Sequence, residues 1–141
     1  MKRREVVTVF MEHGGRVLVL KRSSKVRTYK GCWAGVSGSV EKTPDEQALN
    51  EISEETGIGP EDSRLVRKGQ PLEVVDEEKG ITWVVHPYLF HLDEPYRVRL
   101  NWEHVDMRWI DPGEMELLDT VPGLAQALAH VWVNDNVEMQ K

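Results

Sequence analysis

Three glutamates, Glu51, Glu54 and Glu55, are the residues whose type and spacing point most directly to chemistry. Residues three and four positions apart lie on one face of a helix, so the three carboxylates would repel one another there. Gly57 predicts the end of that helix, and the macrodipole disfavours negative charge in the last turns. A cation bound between the carboxylates would offset both effects. An exposed acidic helix face is the alternative interpretation.

A helix over residues 44–56 must position these carboxylates. Thr43 is a good N-cap residue, Pro44 suits the first helical position, and Glu46 lies three residues after the cap. The apolar positions form a separate stripe at Ala48, Leu49 and Ile52. The pattern therefore predicts an amphipathic helix whose acidic face is distinct from its apolar face.

The remaining segments predict a sheet whose strands are joined mostly by hairpins. Apolar and β-branched residues between turn signals predict strands at 6–10, 17–20, 36–41, 64–68, 72–76, 81–92, 97–100 and 105–110. From Pro122 onward, apolar residues recur at helical spacing and predict a second helix. Two helices and such a sheet indicate an α/β (α+β) fold, and 141 residues suit a single domain over 1–141.

Composition and charge argue against several classes of protein. Hydrophobic residues make up 40% of the chain and charged residues 30%, as in a typical soluble globular protein. The net charge of −6 argues against generic binding to a DNA duplex or an anionic membrane. No apolar run approaches the ~20 residues needed to span a bilayer. The single cysteine, Cys32, excludes an internal disulfide and fits a cytoplasmic location.

The acidic segment carries a family resemblance. The letters G-S-V-E at 38–41 and E-I-S-E-E-T-G-I at 51–58 resemble the Nudix box of the MutT-like hydrolases, G-x5-E-x7-R-E-U-x-E-E-x-G-U, where U is aliphatic. The second half matches at every fixed position except the arginine. Segments 17–22, 33–38, 85–92 and 105–110 resemble the strands and loops around that box, so the resemblance covers nearly the whole chain.

The resemblance implies a fold, an activity and a set of site residues. The fold would be an α/β/α sandwich around a mixed β-sheet, and the activity would be hydrolysis of a nucleoside diphosphate derivative with Mg²⁺ or Mn²⁺. The implied metal ligands are Glu51, Glu54, Glu55, Glu103 and the carbonyl of Ser37. The implied catalytic residues are Glu51, Glu54 and Glu103, with Glu51 or a later loop glutamate assisting deprotonation of water. The resemblance also allows a homodimer.

Three candidate site residues have a second interpretation. Glu103 lies six residues before Trp109, and the resemblance implies a fourth carboxylate there, because MutT-like members complete the site with a glutamate at a comparable place; Glu103 could instead be a surface acid on a loop. Arg22 and Arg27 follow a predicted strand in a basic segment and could contact substrate phosphates. A role in solubility is the alternative for both arginines.

The box also departs from the family pattern. It is two residues short between Gly38 and Glu51, and Lys42 is nearest to the position of the middle glutamate, with Glu41 as a partial substitute. Asn50 stands where the family has arginine, and an asparagine cannot supply a guanidinium fork. These departures favour a second hypothesis, a catalytically weak or inactive Nudix-like module that binds or regulates.

The aromatic and imidazole side chains give weaker signals. Trp109 and Trp132 are expected in the core, whereas Trp33 and Trp83 could pack in the core or stack on a base. His104 and the other histidines show no metal-like clustering, so they are interpreted as ordinary polar residues.

Overall fold

The computed structural model describes residues 1–133, and within them the chain forms an eight-stranded mixed β-sheet with helices packed against it. The strands are β1 (Lys2–His13), β2 (Arg16–Arg22), β3 (Trp33–Ala34), β4 (Val36–Ser39), β5 (Ser63–Lys68), β6 (Leu72–Asp76), β7 (Ile81–Leu92) and β8 (His104–Ile110). The helices are α1 (Pro44–Thr56) and α2 (Leu124–Ala129), with 3₁₀ turns at Pro60–Asp62, Pro95–Arg97 and Pro112–Leu117. Residues 134–141 of the predicted domain lie outside the described residues.

Strand β1 organises the sheet. It pairs in parallel with β7 along most of its length, and on its other edge it pairs antiparallel with β2 and β4. Strand β2 also pairs with β3 and β8, and β7 pairs with β5 and β6. The pairing with β4 sets Ser37 opposite Thr8 and Gly38 opposite Val7, which fixes on the sheet the start of the segment that precedes the acidic helix.

The two faces of the sheet are covered by different helices. Successive side chains of a strand point to opposite faces, so Val9 belongs to the core under α1 while Phe10 belongs to the core under α2. Helix α1 contributes Ala48 and Ile52 to the first core, and α2 contributes Leu124 to the second. This layering confirms the predicted α/β/α sandwich.

Helix α1 has the predicted bounds because both ends are capped. The Thr43 hydroxyl accepts a hydrogen bond from the Glu46 backbone N–H at 3.2 Å. Gly57 adopts a left-handed conformation with φ of 74°, and its N–H donates to the Ser53 carbonyl at 3.0 Å. The acidic residues are thereby held on a helix with fixed ends.

Two predicted elements differ in the structure. The strand predicted at 97–100 is wrong, because the backbone N–H of Arg99 donates to the Thr56 carbonyl at the end of α1, at 2.8 Å, and not to a neighbouring strand. Helix α2 ends at Ala129, although Val131 beyond it is still fully buried in the same core. Within residues 1–133, no helix has the length and apolar character needed to cross a membrane.

Candidate functional site

The buried carboxylates of α1 lie against strand β4. Glu51 and Glu55 are buried, whereas Glu54 on the same helix is exposed. A Cβ atom added to Gly38 would lie 2.2 Å from Glu51 Oε2, so only glycine leaves room for this carboxylate. The Ser37 backbone N–H donates to the Glu55 carboxylate, at 3.3 Å to Oε2. Helix and strand therefore enclose the pair from two sides.

Burial and mutual repulsion raise the pKa values of the two carboxyl groups in this pair. The pKa of Glu55 is raised well above its usual range by burial, then by its hydrogen bond to Glu51 and by the charges of Glu103 and Glu51. Burial also raises the pKa of Glu51, with the charges of Glu54 and Glu103 acting in the same direction. Both environments therefore favour the neutral form of the carboxyl group more than water does, and the effect is larger for Glu55 than for Glu51.

Gln47 contacts Glu51 from one turn earlier on the helix. Its Nε2 donates to Glu51 Oε2 at 2.6 Å, and its Oε1 accepts from the Glu41 backbone N–H at 3.2 Å. Asn50 is exposed, and within residues 1–133 its side chain makes no hydrogen bond. The sequence analysis assigns no role to Gln47, and its spacing of four from Glu51 is the one signal that points to this contact.

Glu103 joins the site from the loop before β8. Its carbonyl accepts from the Ser23 backbone N–H at 2.7 Å, which attaches this loop to the end of β2. The Asn101 side chain accepts from the Glu103 N–H at 3.1 Å and donates to the Glu103 carboxylate at 3.3 Å. The negative charge of Glu103 contributes to the raised pKa of both Glu51 and Glu55, so it lies beside the pair.

His104 is a site residue that the sequence interpretation missed. It is only 5% exposed, and its Nε2 lies 3.6 Å from Glu55 Oε1. Neither ring nitrogen has a hydrogen-bond partner within residues 1–133. Burial, with a smaller contribution from Arg22, lowers the pKa of His104 to about 4. The imidazole is therefore neutral near pH 7, and the contact with Glu55 is not an ion pair.

The two candidate arginines occupy different places. Arg22 lines the cavity beside the carboxylates, and it donates to the Thr28 carbonyl at 2.9 Å and to the Thr28 hydroxyl at 3.3 Å. Burial lowers the pKa of Arg22, while the charges of Glu55 and Glu103 act in the opposite direction. Arg27 is exposed and does not line this cavity. The structure brings Arg22 to the carboxylates and leaves Arg27 outside.

A cavity of about 250 Å³ opens beside Ser37, Gly38 and Glu103. One part of its wall is apolar and includes Val6, Val85 and Trp83. Trp33, by contrast, is buried in the core under α2, and Trp102 is 61% exposed. Trp83 is therefore the tryptophan that lies within reach of a molecule held in the cavity.

Tyr29 connects the loop after β2 to the β6–β7 hairpin across this cavity. Its hydroxyl donates to Asp76 Oδ2 at 2.5 Å and accepts from Trp83 Nε1 at 2.9 Å. Its φ of 52° is the left-handed conformation that a bulky residue rarely adopts. Burial and the hydrogen bond to Asp76 raise the pKa of Tyr29 to about 12. Tyr29 thereby fixes the Trp83 ring in the cavity wall.

The side chains fit a hard divalent cation by their chemistry. Within residues 1–133, no three Asp, Glu, His or Cys side chains already form a coordinating group. The carboxylates are instead engaged with one another and with Gln47, Ser37 and Asn101. Mg²⁺ and Mn²⁺ prefer carboxylate oxygens, and they bind the ionised form of a carboxyl group. The close approach at Gly38 and the unpartnered His104 nitrogens beside Glu55 agree with a site that is completed by a ligand.

Comparison with known proteins identifies related sequences and structures. Residues 1–131 match the family model described as NUDIX domain. No curated protein matches the chain. An Ap4A hydrolase from C. elegans, in a binary complex, is similar in fold with a TM-score of 0.72 and 18% identity, over 99% of this chain and 98% of that chain.

Two further solved structures are similar. A MutT protein from Methanosarcina mazei Go1 has a TM-score of 0.70 and 22% identity, over 99% of this chain and 97% of that chain. A dihydroneopterin triphosphate pyrophosphohydrolase from E. coli has a TM-score of 0.69 and 20% identity, over 91% of this chain and 95% of that chain. At such identities the likeness establishes the fold, and it confirms the predicted fold class.

Proposed function

The chain belongs to the Nudix family, and we propose that it hydrolyses a nucleoside diphosphate linked to another moiety, with Mg²⁺ or Mn²⁺ as cofactor. The observation that carries this proposal is the buried pair Glu51 and Glu55, which lies against Gly38 and Ser37 in the wall of a cavity that Glu103 and Arg22 line. Buried acids with raised pKa values are characteristic of functional sites, because burying them unpaired is unfavourable for folding alone.

The proposed metal ligands are Glu51, Glu54, Glu55, Glu103 and the carbonyl oxygen of Ser37. A bound metal supplies positive charge for the diphosphate and lowers the pKa of a water molecule. Glu103 borders the cavity and is held by Asn101, so it is our first candidate to accept the proton of the attacking water. Glu51 is the second candidate, and exposed Glu54 completes the ligand set from the solvent side.

Arg22 is the proposed phosphate-binding residue. Two of its nitrogens are held by Thr28, and within residues 1–133 its Nη1 makes no hydrogen bond to protein. Its guanidinium therefore keeps donors that can bind phosphate oxygens and orient the diphosphate. Arg27 would contact only a substrate that extends beyond the cavity.

The cavity is the proposed site for the base or another planar group of the substrate. Its volume of about 250 Å³ lies just below the range of about 300–1,000 Å³ that is common for ligand sites. This size suits one planar ring system with part of its sugar. Trp83 and Tyr29 are the aromatic side chains in its lining. Aromatic side chains can stack on any of the bases, because every base has a π-face.

A substrate screen tests the proposed function. The purified protein is incubated with Mg²⁺ or Mn²⁺ and nucleoside triphosphates, nucleotide sugars, ADP-ribose, dinucleoside polyphosphates and capped RNA, with EDTA as the control. We expect metal-dependent turnover of at least one diphosphate, and hydrolysis in ¹⁸O water identifies the phosphorus that is attacked. No turnover with any of these compounds, together with no metal binding, would contradict the proposal.

A binding or regulatory module remains the second candidate function. One observation that favours it is the exposed Asn50. The other is that the carboxylates already accept hydrogen bonds from Ser37, Gln47 and Asn101, and that within residues 1–133 they do not form a coordinating group. This hypothesis predicts that wild type and Glu54→Gln bind a nucleotide equally and that neither hydrolyses it. Hydrolysis by the wild type that is abolished in Glu54→Gln would exclude it.

A further inference from the structure

We propose that Gln47 is the positioning residue for Glu51, so that its amide holds this carboxylate in the orientation that metal binding requires. This inference rests on the proposed function and names a residue that acts through Glu51 rather than on the substrate. Gln47 is 8% exposed, and so is Glu51. Their hydrogen bond of 2.6 Å is therefore formed largely out of solvent.

The orientation of the Gln47 amide is fixed by its two partners. Oε1 faces a backbone N–H of Glu41, which can only donate, and Nε2 faces a carboxylate, which accepts. A flipped amide would set two donors against each other at Glu41 and two acceptors against each other at Glu51. The amide therefore has one stable arrangement, and this arrangement always directs an N–H at Glu51.

Two independent contacts then locate the same oxygen atom of Glu51. Oε2 accepts from Gln47 Nε2, and it lies 2.2 Å from the position that a Cβ on Gly38 would take. Rotation of the carboxylate would break the hydrogen bond to Gln47 and move Oε2 away from the space that Gly38 leaves open on β4. Gln47 and β4 together thus restrict Glu51 to a narrow set of positions before any metal arrives.

Such a residue affects metal binding more than folding. Side chains that hydrogen-bond to a metal ligand typically change metal affinity or activity by about 10–100-fold when they are removed. A purely structural Gln47, which only joined the end of β4 to α1, would change thermal stability and leave metal affinity unchanged. The two roles are therefore separable by measurement.

The test compares Gln47→Met and Gln47→Ala with the control Gln126→Met, which changes an exposed glutamine on α2. Mn²⁺ affinity is measured without substrate by electron paramagnetic resonance, kcat and KM are measured with the best substrate, and melting is measured in EDTA. We expect both Gln47 variants to lose about 10–100-fold in Mn²⁺ affinity or kcat, with little change in substrate KM. Gln126→Met should match the wild type.

Three results would overturn this inference. Folded Gln47 variants with wild-type Mn²⁺ affinity and kcat would show that Glu51 does not need the amide. Variants that fail to fold, as judged by circular dichroism, would assign Gln47 a structural role instead. A wild-type protein that binds no Mn²⁺ would contradict the proposed function as well, whereas active wild type with unchanged variants would contradict only this inference.

Discussion

Gly38 leaves the space in which the Glu51 carboxylate lies. The Glu51 carboxylate occupies the space that any larger side chain at position 38 would need. Gly38 has no positive φ, so the requirement arises from this close approach and not from the backbone conformation. A single hydrogen atom in place of a methyl group thus allows a buried acid to lie against a strand.

Replacing Gly38 with alanine should displace the Glu51 carboxylate. We expect stability to fall by about 1 kcal/mol, at the low end for overpacking because a side chain and not backbone must move. Mn²⁺ affinity should fall by about 10-fold or more, because Glu51 would leave its position. Urea denaturation and Mn²⁺ titration measure the two effects.

Gly113→Ala is the matched control for this substitution, because a Cβ at Gly113 would meet no atom within 4 Å. It should leave stability and Mn²⁺ affinity close to those of the wild type. Equal Mn²⁺ affinity in Gly38→Ala and the wild type would contradict the proposed dependence of Glu51 on Gly38.

The sequence analysis assigns roles to the acidic residues of the candidate site and none to their neutral neighbours. Glu51, Glu54 and Glu55 have a spacing that is unusual enough to notice, and the structure brings two of them into one buried pair. Gln47 and His104 give no comparable signal, because the role of a glutamine or a histidine depends on the side chains that the fold brings into contact with it. The approach of His104 to Glu55 joins β8 to α1, a contact that no local pattern specifies.

Local and long-range interactions explain which elements were predicted correctly. Helix α1 carries its own N-cap, apolar stripe and C-terminal glycine, so its bounds of 44–56 could be predicted from adjacent residues. The segment 97–100 has a strand-like composition, but its backbone bonds to the end of α1, which is remote in sequence. The conformation of this segment therefore depends on a contact with a residue that is remote in sequence.

The loop after β2 and the β6–β7 hairpin meet through one hydroxyl group. Tyr29→Phe removes the bonds to Asp76 and Trp83, and each typically contributes about 0.5–1.5 kcal/mol. With Trp83 less well fixed, we expect KM to rise while kcat changes little, as measured by steady-state kinetics. The control is Tyr96→Phe, which removes a hydroxyl from a tyrosine that is 71% exposed. A rise in KM of equal size in both variants would argue against the Tyr29 connection.

The start of α1 is attached to the sheet by Asp45. Its carboxylate accepts from Lys68 at 2.8 Å and from the Tyr88 hydroxyl, and these bonds lower the pKa of Asp45. Because the folded-state pKa is below the unfolded value of about 3.9, the stabilisation is present above that pH and is lost as the pH falls through the folded-state pKa. The wild type should thus exceed Asp45→Asn in stability at pH 7, and the difference should shrink in acid.

Denaturation of both proteins between pH 7 and pH 2 measures this difference, with Glu46→Gln as the control from the same helical turn. A difference that is constant over this range would contradict the assignment to Asp45 ionisation. The effect should be modest, because Asp45 and Lys68 are both more than half exposed and water screens their attraction.

At the scale of the whole molecule, the sheet assembles a site from distant segments. Strand β1 pairs with β4, which carries Ser37 and precedes the helix of Glu51 and Glu55. Strand β2 carries Arg22 and pairs with β8, which begins directly after Glu103. The fold class followed from the pattern of elements. The cavity and its wall could not be predicted from that pattern, because they form where loops and strands from several parts of the chain converge.

Metal binding should stabilise the folded chain as a whole. A ligand that binds only the folded state adds about 2.7 kcal/mol at 100 times its Kd, which corresponds to a rise in Tm of about 5 °C or more. Thermal denaturation with Mn²⁺ and with EDTA should therefore differ, and the difference should disappear in Glu51→Gln. Equal Tm values for the wild type in Mn²⁺ and in EDTA would show that the carboxylates do not bind this cation.

The most direct test of the central claim is the rate of metal-dependent hydrolysis in the wild type, Glu51→Gln and Glu46→Gln. The last variant removes an exposed carboxylate from the first turn of the same helix and serves as the control. We predict that the wild type and Glu46→Gln hydrolyse a nucleoside diphosphate derivative equally in Mg²⁺ and not in EDTA, with kcat lower by about 100-fold or more in Glu51→Gln. Equal rates in Glu51→Gln and the wild type, or hydrolysis that persists in EDTA, would contradict a metal-dependent reaction at the buried carboxylate pair.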